Sequence, residues 1–470
     1  MQWSSDHILS AVGGRLLYGP PEARFCGVGI DSRTVGKGQL FVAICGERHD
    51  GHTFIAQVIE TGVRGVVIQE GNGAPLQHDR WQAQGVTCIE VADTTRALGA
   101  LATFQRQRSE IPVVAITGSN GKTTTRQMAA LVVARRFNTL ATQGNYNNEI
   151  GLPLTLFHLA PEHEAAVLEL GMNHPGEIDR LGAICRPTIG VITNVGPAHL
   201  EFLGSLEGVA RAKGELIPQV DVRGTVILNR DDVHVAALAE TADRKVLFFG
   251  TDPEAQVRAE GTATTDRGVS FELVLPSGRQ AVSLKTPGRF MVANALAAAA
   301  VGYAMGMGIA QIKAGLEAFI PEKGRLLVVE TARGIHMIDD TYNANPDSMA
   351  AAFDTLTALR KNRAGVIVLG DMFELGDAAA RLHRDVGRLA AQSGPARLYA
   401  CGEYAAAVAE GARSAGMEST RIFTGEKETI AADLIENLTA GDWLLVKGSR
   451  GMSMETVVAS VRAWADDQTI

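Results

Sequence analysis

A chain of 470 residues is too long for one hydrophobic core, so two or three domains are expected. A net charge of −8 and a pI near 5.8 argue against nucleic acid or an anionic membrane as the main partner. Five scattered cysteines (26, 45, 88, 185 and 401) form no metal-ligand cluster and fit a reducing cytosol. The stretch from Gln2 to Asp6 has neither the basic end nor the apolar block of a signal peptide, so a cytoplasmic protein is expected.

Residues 1–110 show short strands around Leu40–Ile44, Val63–Ile68 and Thr87–Val91, with helical patterns near Thr53–Glu60 and Thr94–Arg106. The polar run Arg106–Glu110 reads as a linker. Asp31-Ser32-Arg33 follows a strand and precedes Gly36-Lys37-Gly38. Such a loop could hold a diphosphate or a uracil edge; taken alone, it reads as a capped turn.

The stretch Ile111–Thr125 organises the rest. Val113–Ile116 predicts a buried strand that breaks at Thr117-Gly118-Ser119-Asn120-Gly121, and a helix begins near Lys122. A strand, a Gly-rich turn and a helix N-terminus make an anion site. Backbone N–H groups point at the ligand, and the helix dipole adds roughly half a positive charge. Ile116 stands where the usual G-x-x-x-x-G-K-[ST] has its first Gly, so the loop is a shortened T-G-x-x-G-K-T form. A nucleoside-triphosphate site is predicted over Thr117–Thr124. Lys122 pairs with the β- and γ-phosphates there, and the Thr123 hydroxyl reaches Mg²⁺.

Residues 111–322 alternate strand and helix, with strands at 113–116, 165–170, 188–195, 224–229 and 245–249, which predicts a mostly parallel, doubly wound sheet. Between 255 and 285 the turns Asp266-Arg267-Gly268 and Pro276-Ser277-Gly278 suggest an antiparallel hairpin insert. Met291–Ile312 carries no charge and is long enough to span a bilayer, but Ala, Gly, Asn294, Tyr303 and Gln311 fit a pair of packed, buried helices better. Residues 323–470 alternate again, with apolar runs at Ile335–Ile338, Val366–Leu369, Leu398–Ala400 and Trp443–Val446, and predict a second, smaller doubly wound domain.

Ligands of such sheets bind beyond the carboxyl ends of the strands. Gly118–Thr123, Glu169, Asn194–His199, Asp339-Asp340, Gly370-Asp371 and Lys447–Arg450 all occupy that kind of position. Glu169 ends an apolar strand, where a carboxylate is costly without a cation. Mg²⁺ is the favoured partner, and a helix cap or an ion pair within the domain is the plainer one. His199 is either a ligand or a packing residue on this basis. Lys213 lies on a helix that could return to the same edge. An ammonium ~4 Å from Mg²⁺ would be repelled by roughly 8 kcal/mol at an effective dielectric of 20. It therefore either points into solvent or has lost its charge, by carbamylation for instance, and the residues alone favour solvent. Asn294 could read an adenine edge or cap its helix. Asp340-Thr-Tyr-Asn-Ala-Asn-Pro346 offers Asp340 to a ribose hydroxyl and Tyr342 as a stacking face, with Pro346 starting the next helix.

These segments, in this order, resemble the Mur ligases, the ATP-dependent amide-forming enzymes of peptidoglycan synthesis. The likeness runs through Asp31-Ser-Arg33, Phe41-Val-Ala with Gly46–Gly51, Thr117–Thr123, Glu169-Leu-Gly171 and Ala198-His-Leu-Glu201. It continues in Ala212-Lys-Gly-Glu215, Asn294–Ala298, Asp339–Pro346, Gly370–Gly376 and Lys447-Gly-Ser-Arg450. Gly144-Asn-Tyr-Asn-Asn-Glu-Ile-Gly-Leu-Pro153 looks specific to the dipeptide-adding branch, and the Asp-Asn-Pro-Arg motif of the diaminopimelate-adding branch is not found.

The resemblance implies an α/β protein of three domains. These are a smaller N-terminal α/β domain for the UDP sugar (1–110), a central doubly wound sheet with the phosphate loop for ATP (111–322), and a C-terminal Rossmann-like domain that closes over both (323–470). It implies ligation of D-alanyl-D-alanine to UDP-N-acetylmuramoyl-tripeptide through an acyl phosphate, with ATP as co-substrate; a monomer is expected, without nucleic acid or membrane span. By the same resemblance Thr123 and Glu169 hold one Mg²⁺, and His199 with carbamylated Lys213 holds a second. Asn294, Arg325 and Asp340 line the nucleotide, while Asp31, Ser32, Arg33, Asn145, Asn147 and Asn148 face the UDP-tripeptide. Folylpolyglutamate synthase and other Mur ligases are the rivals within this chemistry; a slow ATP-hydrolysing switch is the rival outside it.

Overall fold

The computed structural model describes residues 3–46, 49–72, 78–265 and 268–467, and every count below refers to them. Glu47 and Arg48 of the Gly46–Gly51 motif, and Asp266 and Arg267 of the expected turn, lie outside the described residues.

The first domain is built on a five-stranded sheet in the order Arg15–Tyr18, Thr87–Val91, Gly65–Gln69, Leu40–Val42, Val28–Gly29, parallel except for its first strand. Successive strand residues point to opposite faces. Val67 and Ile89 therefore join the core with Trp3, Leu98 and Leu101, while Val66 and Cys88 join Ile55, Val58 and Trp81 on the other side. Both faces are covered, which is why these strands read as continuous apolar runs.

The expected linker at 106–110 is corrected by Arg106. It ends the helix Thr94–Gln107 as a buried side chain, and its guanidinium donates to the carbonyls of Cys185, Ser109, Ile111 and Arg186. A polar run is solvated only if its side chains point outward, and this one points into the junction with the second domain.

The second domain carries a nine-stranded sheet: Gly278–Leu284, Gly268–Leu275, Val257–Thr265, Lys245–Gly250, Thr225–Asn229, Ile189–Ile192, Val113–Thr117, Ala165–Glu169, Thr139–Ala141. The stretch 255–285 is thus an extension of the sheet and not a separate insert. Val257 and Arg258 pair in parallel with Phe249 and Gly250, and the two strands that follow continue antiparallel. The uncharged stretch forms two packed helices, Phe290–Ala304 and Ile309–Glu317, the first buried along most of its length. No helix among the described residues is long and apolar enough to cross a membrane.

The third domain is a six-stranded sheet in the order Leu327–Glu330, His336–Asp340, Trp443–Lys447, Gly365–Leu369, Arg397–Ala400, Ile422–Thr424, parallel beyond its first pair. Register decides what meets at the strand ends. Ile116 pairs with Glu169 and Thr117 with Ile192 in the second domain; Lys447 pairs with both Asp340 and Leu369 in the third. The carboxyl ends of the two sheets border one cleft.

Candidate active site

That cleft has a volume of about 780 Å³ and is lined by all three kinds of expected residue: the phosphate loop, Glu169 with Asn145, Asn147 and Asn148, and Arg325, Asp340 and Lys447 of the third domain. Its size suits a nucleotide-sized ligand.

The helix Lys122–Val133 starts directly after Gly121, which has φ of +75° and serves as its N-cap without a side-chain cap. A Cβ on Gly121 would stand 2.2 Å from Asn294 Oδ1, so only glycine lets the Ala-rich helix approach the loop this closely. Not every loop amide is free for phosphate. Ser119 N donates to Asn194 O at 3.0 Å and Asn120 N to Asn194 Oδ1 at 2.7 Å. The strand end at 193–196 therefore holds the loop's shape, and the first-turn amides of Lys122, Thr123 and Thr124 are the donors aimed at a ligand. The Lys122 ammonium folds back onto Gly118 O at 2.7 Å, and burial pulls its pKa down while Glu169 pushes it up.

Glu169 is buried at 2 % exposure. Asn147 Nδ2 donates to its Oε1 at 2.8 Å, while its Oε2 has no hydrogen-bond partner and lies 3.8 Å from Arg126 Nε. Both readings of this residue are present: an ion pair within the domain, and an oxygen with unused lone pairs. A buried orphan carboxylate oxygen suits Mg²⁺, and Thr123 lines the same cleft. No group of three or more His, Cys, Asp or Glu side chains able to hold a metal occurs among the described residues.

Asn294 does not cap its helix, because it sits inside the first turns and is buried against Thr125 and the loop. Asp340 is engaged already: its Oδ1 accepts from Leu326 N at 3.1 Å and its Oδ2 from Lys447 Nζ at 2.6 Å. Arg325 lies 3.9 Å over the Tyr342 ring, so a cation occupies one face of the expected stacking surface. Asn148 Oδ1 accepts from Ile150 N and Gly151 N, which starts the helix Gly151–Phe157. Asp371 turns away from the cleft and accepts from Glu403 N and Tyr404 N; its strand-end position serves the fold.

Lys213 is where the residue-only expectation fails. It does not point into solvent: on the helix Leu206–Gly214 it is 1 % exposed, and among the described residues no hydrogen bond or ion pair to its amine is found. Burial, with the charge of Lys122 added, lowers its pKa well below the ordinary lysine value. It is not among the residues that line the cleft. Asp31, Ser32 and Arg33 do not line this cleft either. They form a turn in the first domain, with Arg33 paired to Asp31 at 2.7 Å.

Two residues escaped the sequence reading. Arg126, one helical turn after Lys122, is buried between Glu169 and Glu322; its i+4 spacing from Lys122 was the available signal. Glu374, inside the quoted Gly370–Gly376 segment, meets His199 Nδ1 at 2.5 Å across the domain boundary. Nothing local in the sequence announces that partner.

Comparison with known proteins agrees with this geometry. Residues 116–302 match the Mur ligase middle domain, 324–450 the Mur ligase glutamate ligase domain, and 24–106 the Mur ligase family catalytic domain. The chain is 38% identical to the UDP-N-acetylmuramoyl-tripeptide–D-alanyl-D-alanine ligase of Escherichia coli K12, over 92% of either chain. Crystal structure I of MurF from Acinetobacter baumannii superposes with a TM-score of 0.89 at 34% identity, covering 98% of this chain and 99% of that one. MurF ligase from Thermotoga maritima, solved in complex with ADP, gives 0.82 at 26% identity, covering 93% and 97%.

Proposed function

The chain belongs to the Mur ligase family, and from that premise we propose how its cleft performs the reaction of the dipeptide-adding branch. The protein is an ATP-dependent ligase that joins D-alanyl-D-alanine to UDP-N-acetylmuramoyl-tripeptide, giving the pentapeptide, ADP and phosphate in peptidoglycan precursor synthesis. The observation that carries the assignment is a phosphate loop and a buried carboxylate sharing one cleft with the Asn145–Asn148 block. In our reading the domains divide at 110/111 and 322/323, and the enzyme acts as a cytoplasmic monomer.

The amides of Lys122, Thr123 and Thr124 hold the ATP phosphates. The Lys122 ammonium swings from Gly118 O to the γ-phosphoryl group as it moves to the free carboxylate of the tripeptide, forming an acyl phosphate. The amine of D-alanyl-D-alanine attacks the acyl carbon, and inorganic phosphate leaves from the tetrahedral intermediate. Asn294, Arg325 and Asp340 border the nucleoside, while Asn145, Asn147, Asn148 and the Asp31-Ser32-Arg33 turn serve the UDP-tripeptide. Thr123 and Glu169 would hold one Mg²⁺, and His199 with Lys213 as a carbamate would hold the second. Bound there, Mg²⁺ supplies charge neutralisation for the phosphoryl oxygens. The buried amine of Lys213 supports the carbamate, since a neutral amine is the form that adds CO₂ and releases a proton.

Phosphate release measured with UDP-MurNAc-tripeptide, ATP and a panel of acceptors tests the assignment. Release should require both co-substrates, prefer D-alanyl-D-alanine over single amino acids, and vanish in a folded Lys122→Ala variant. Release from ATP alone at the same rate would refute it.

A further inference from the structure

We propose that Glu374 of the third domain is a positioning residue that fixes which nitrogen of His199 faces the cleft. The inference rests on the ligase reading above and adds a residue to it. His199 belongs to the second domain and lines the cleft; Glu374 reaches it from the third with Oε2 2.5 Å from Nδ1. A neutral imidazole carries one N–H and one lone pair, and an ionised carboxylate can only accept. Nδ1 must therefore carry the hydrogen, which leaves the lone pair on Nε2 as the one available to a metal or a substrate group.

The backbone on both sides is built around this contact. Only six non-glycine residues have positive φ among those described, and two of them are His199 at +58° and Glu374 at +61°. L-residues adopt that conformation against a steric cost, and such costs gather where geometry serves function. Glu201 N donates to Glu374 O at 3.3 Å, joining the main chains of the two domains two residues from His199. At Gly376, with φ of +54°, an added Cβ would come 3.3 Å from Glu201 Cα, so the loop packs backbone against backbone. The consequence is a site that becomes chemically complete only when the third domain is docked.

The test uses the full-length chain labelled with ¹⁵N at histidine, free of nucleotide and metal. The His199 ring signals are identified by their loss in His199→Gln. Wild type should show a single tautomer with hydrogen on Nδ1. In Glu374→Gln the amide can donate or accept, and in Glu374→Ala nothing accepts, so both variants should show mixed tautomers. With substrates, each variant should lose ~10- to 100-fold in kcat, the range seen when the partner of a metal-binding histidine is removed, while KM for ATP stays close to wild type. An unchanged ring spectrum in either folded variant, or an unchanged kcat, overturns the proposal. If wild type itself does not ligate, the ligase reading fails instead, and the ring spectrum still decides whether Glu374 sets the tautomer.

Discussion

Asn345 of the third domain donates its side-chain amide to Asn120 Oδ1 in the phosphate loop, at 2.8 Å. The same side chain caps the helix Pro346–Arg360 through Oδ1, which accepts from Ser348 N at 2.9 Å. One residue thus begins a helix and touches the nucleotide loop of another domain.

Asn345→Asp separates those two tasks. Asp caps a helix as well as Asn does, so the melting temperature should stay within a degree or two of wild type. The donor to Asn120 is lost and a negative charge comes near the phosphates. A lost hydrogen bond of about 1 kcal/mol together with that repulsion should weaken ATP binding about tenfold or more. Calorimetric titration with a non-hydrolysable ATP analogue measures it, and unchanged affinity would remove the contact from the site.

For Lys213, the expectation is a carbamate that Arg cannot form. Lys213→Ala should fold, bind ATP and lose most ligation, with partial recovery on adding a small carboxylic acid. Lys213→Arg should be no better than Ala. In ¹³C-bicarbonate the wild type should show one carbamate resonance that is absent from both variants. Wild-type turnover by the Arg variant would end this reading.

Asp31 gives a pH-dependent signature. The side-chain hydrogen bond from Arg33, with its backbone N–H, holds the carboxyl at about 2, against an ordinary 3.8. A carboxyl whose folded pKa is depressed contributes stability above its unfolded value and loses it as pH falls through the folded one. The contribution is small because the pair faces water. Stability of Asp31→Asn should fall slightly below wild type at neutral pH, and the gap should close between pH 3.8 and about 2. Carboxyl ¹³C shifts should find Asp31 still ionised at pH 3.8; half-protonation there would refute the assignment.

Arg106→Ala addresses the junction of the first two domains. It strips a charged donor from buried carbonyls, among them Cys185 O at 2.9 Å. Hydrogen bonds from charged groups are worth ~1.5–3 kcal/mol each, less the cost of burying the cation, so a net loss of about 2–3 kcal/mol is expected. Urea melts followed by tryptophan fluorescence report it; a change below about 0.5 kcal/mol would mean the junction does not depend on Arg106.

The alternation of strand and helix, and the break from Ile116 into Gly118–Lys122, were legible because they are local: apolar runs, turn residues and a helix start are written side by side. What escaped depends on distant partners. Three-residue edge strands such as Thr139–Ala141 and Ile422–Thr424 are too short to show alternation, and they form because a neighbour offers hydrogen bonds. The stretch 255–285 read as a hairpin insert because nothing inside it says that Val257 will pair with Phe249. Arg106 and Lys213 were misread for one reason: a cation's cost of burial is visible in sequence, and the distant packing that buries it is not. Glu374 lies 175 residues from His199, so only the fold joins them.

The alanine-rich helix Phe290–Ala304 has a consequence for mutational tolerance. Ala295, Ala297, Ala298, Ala299 and Ala300 are fully buried, and alanine has no rotamer through which to absorb a displacement. A larger side chain at Ala298 or Ala300 would have to shift the whole helix, carrying Asn294 with it, and Asn294 already fills the space against Gly121. At 1.5 Å per residue those positions lie only ~6 and ~9 Å along the axis from Asn294. Selection on this helix would therefore register as altered nucleotide affinity before it registered as unfolding. In a library of variants, substitutions there should sort with changes in the phosphate loop and apart from ordinary core mutations.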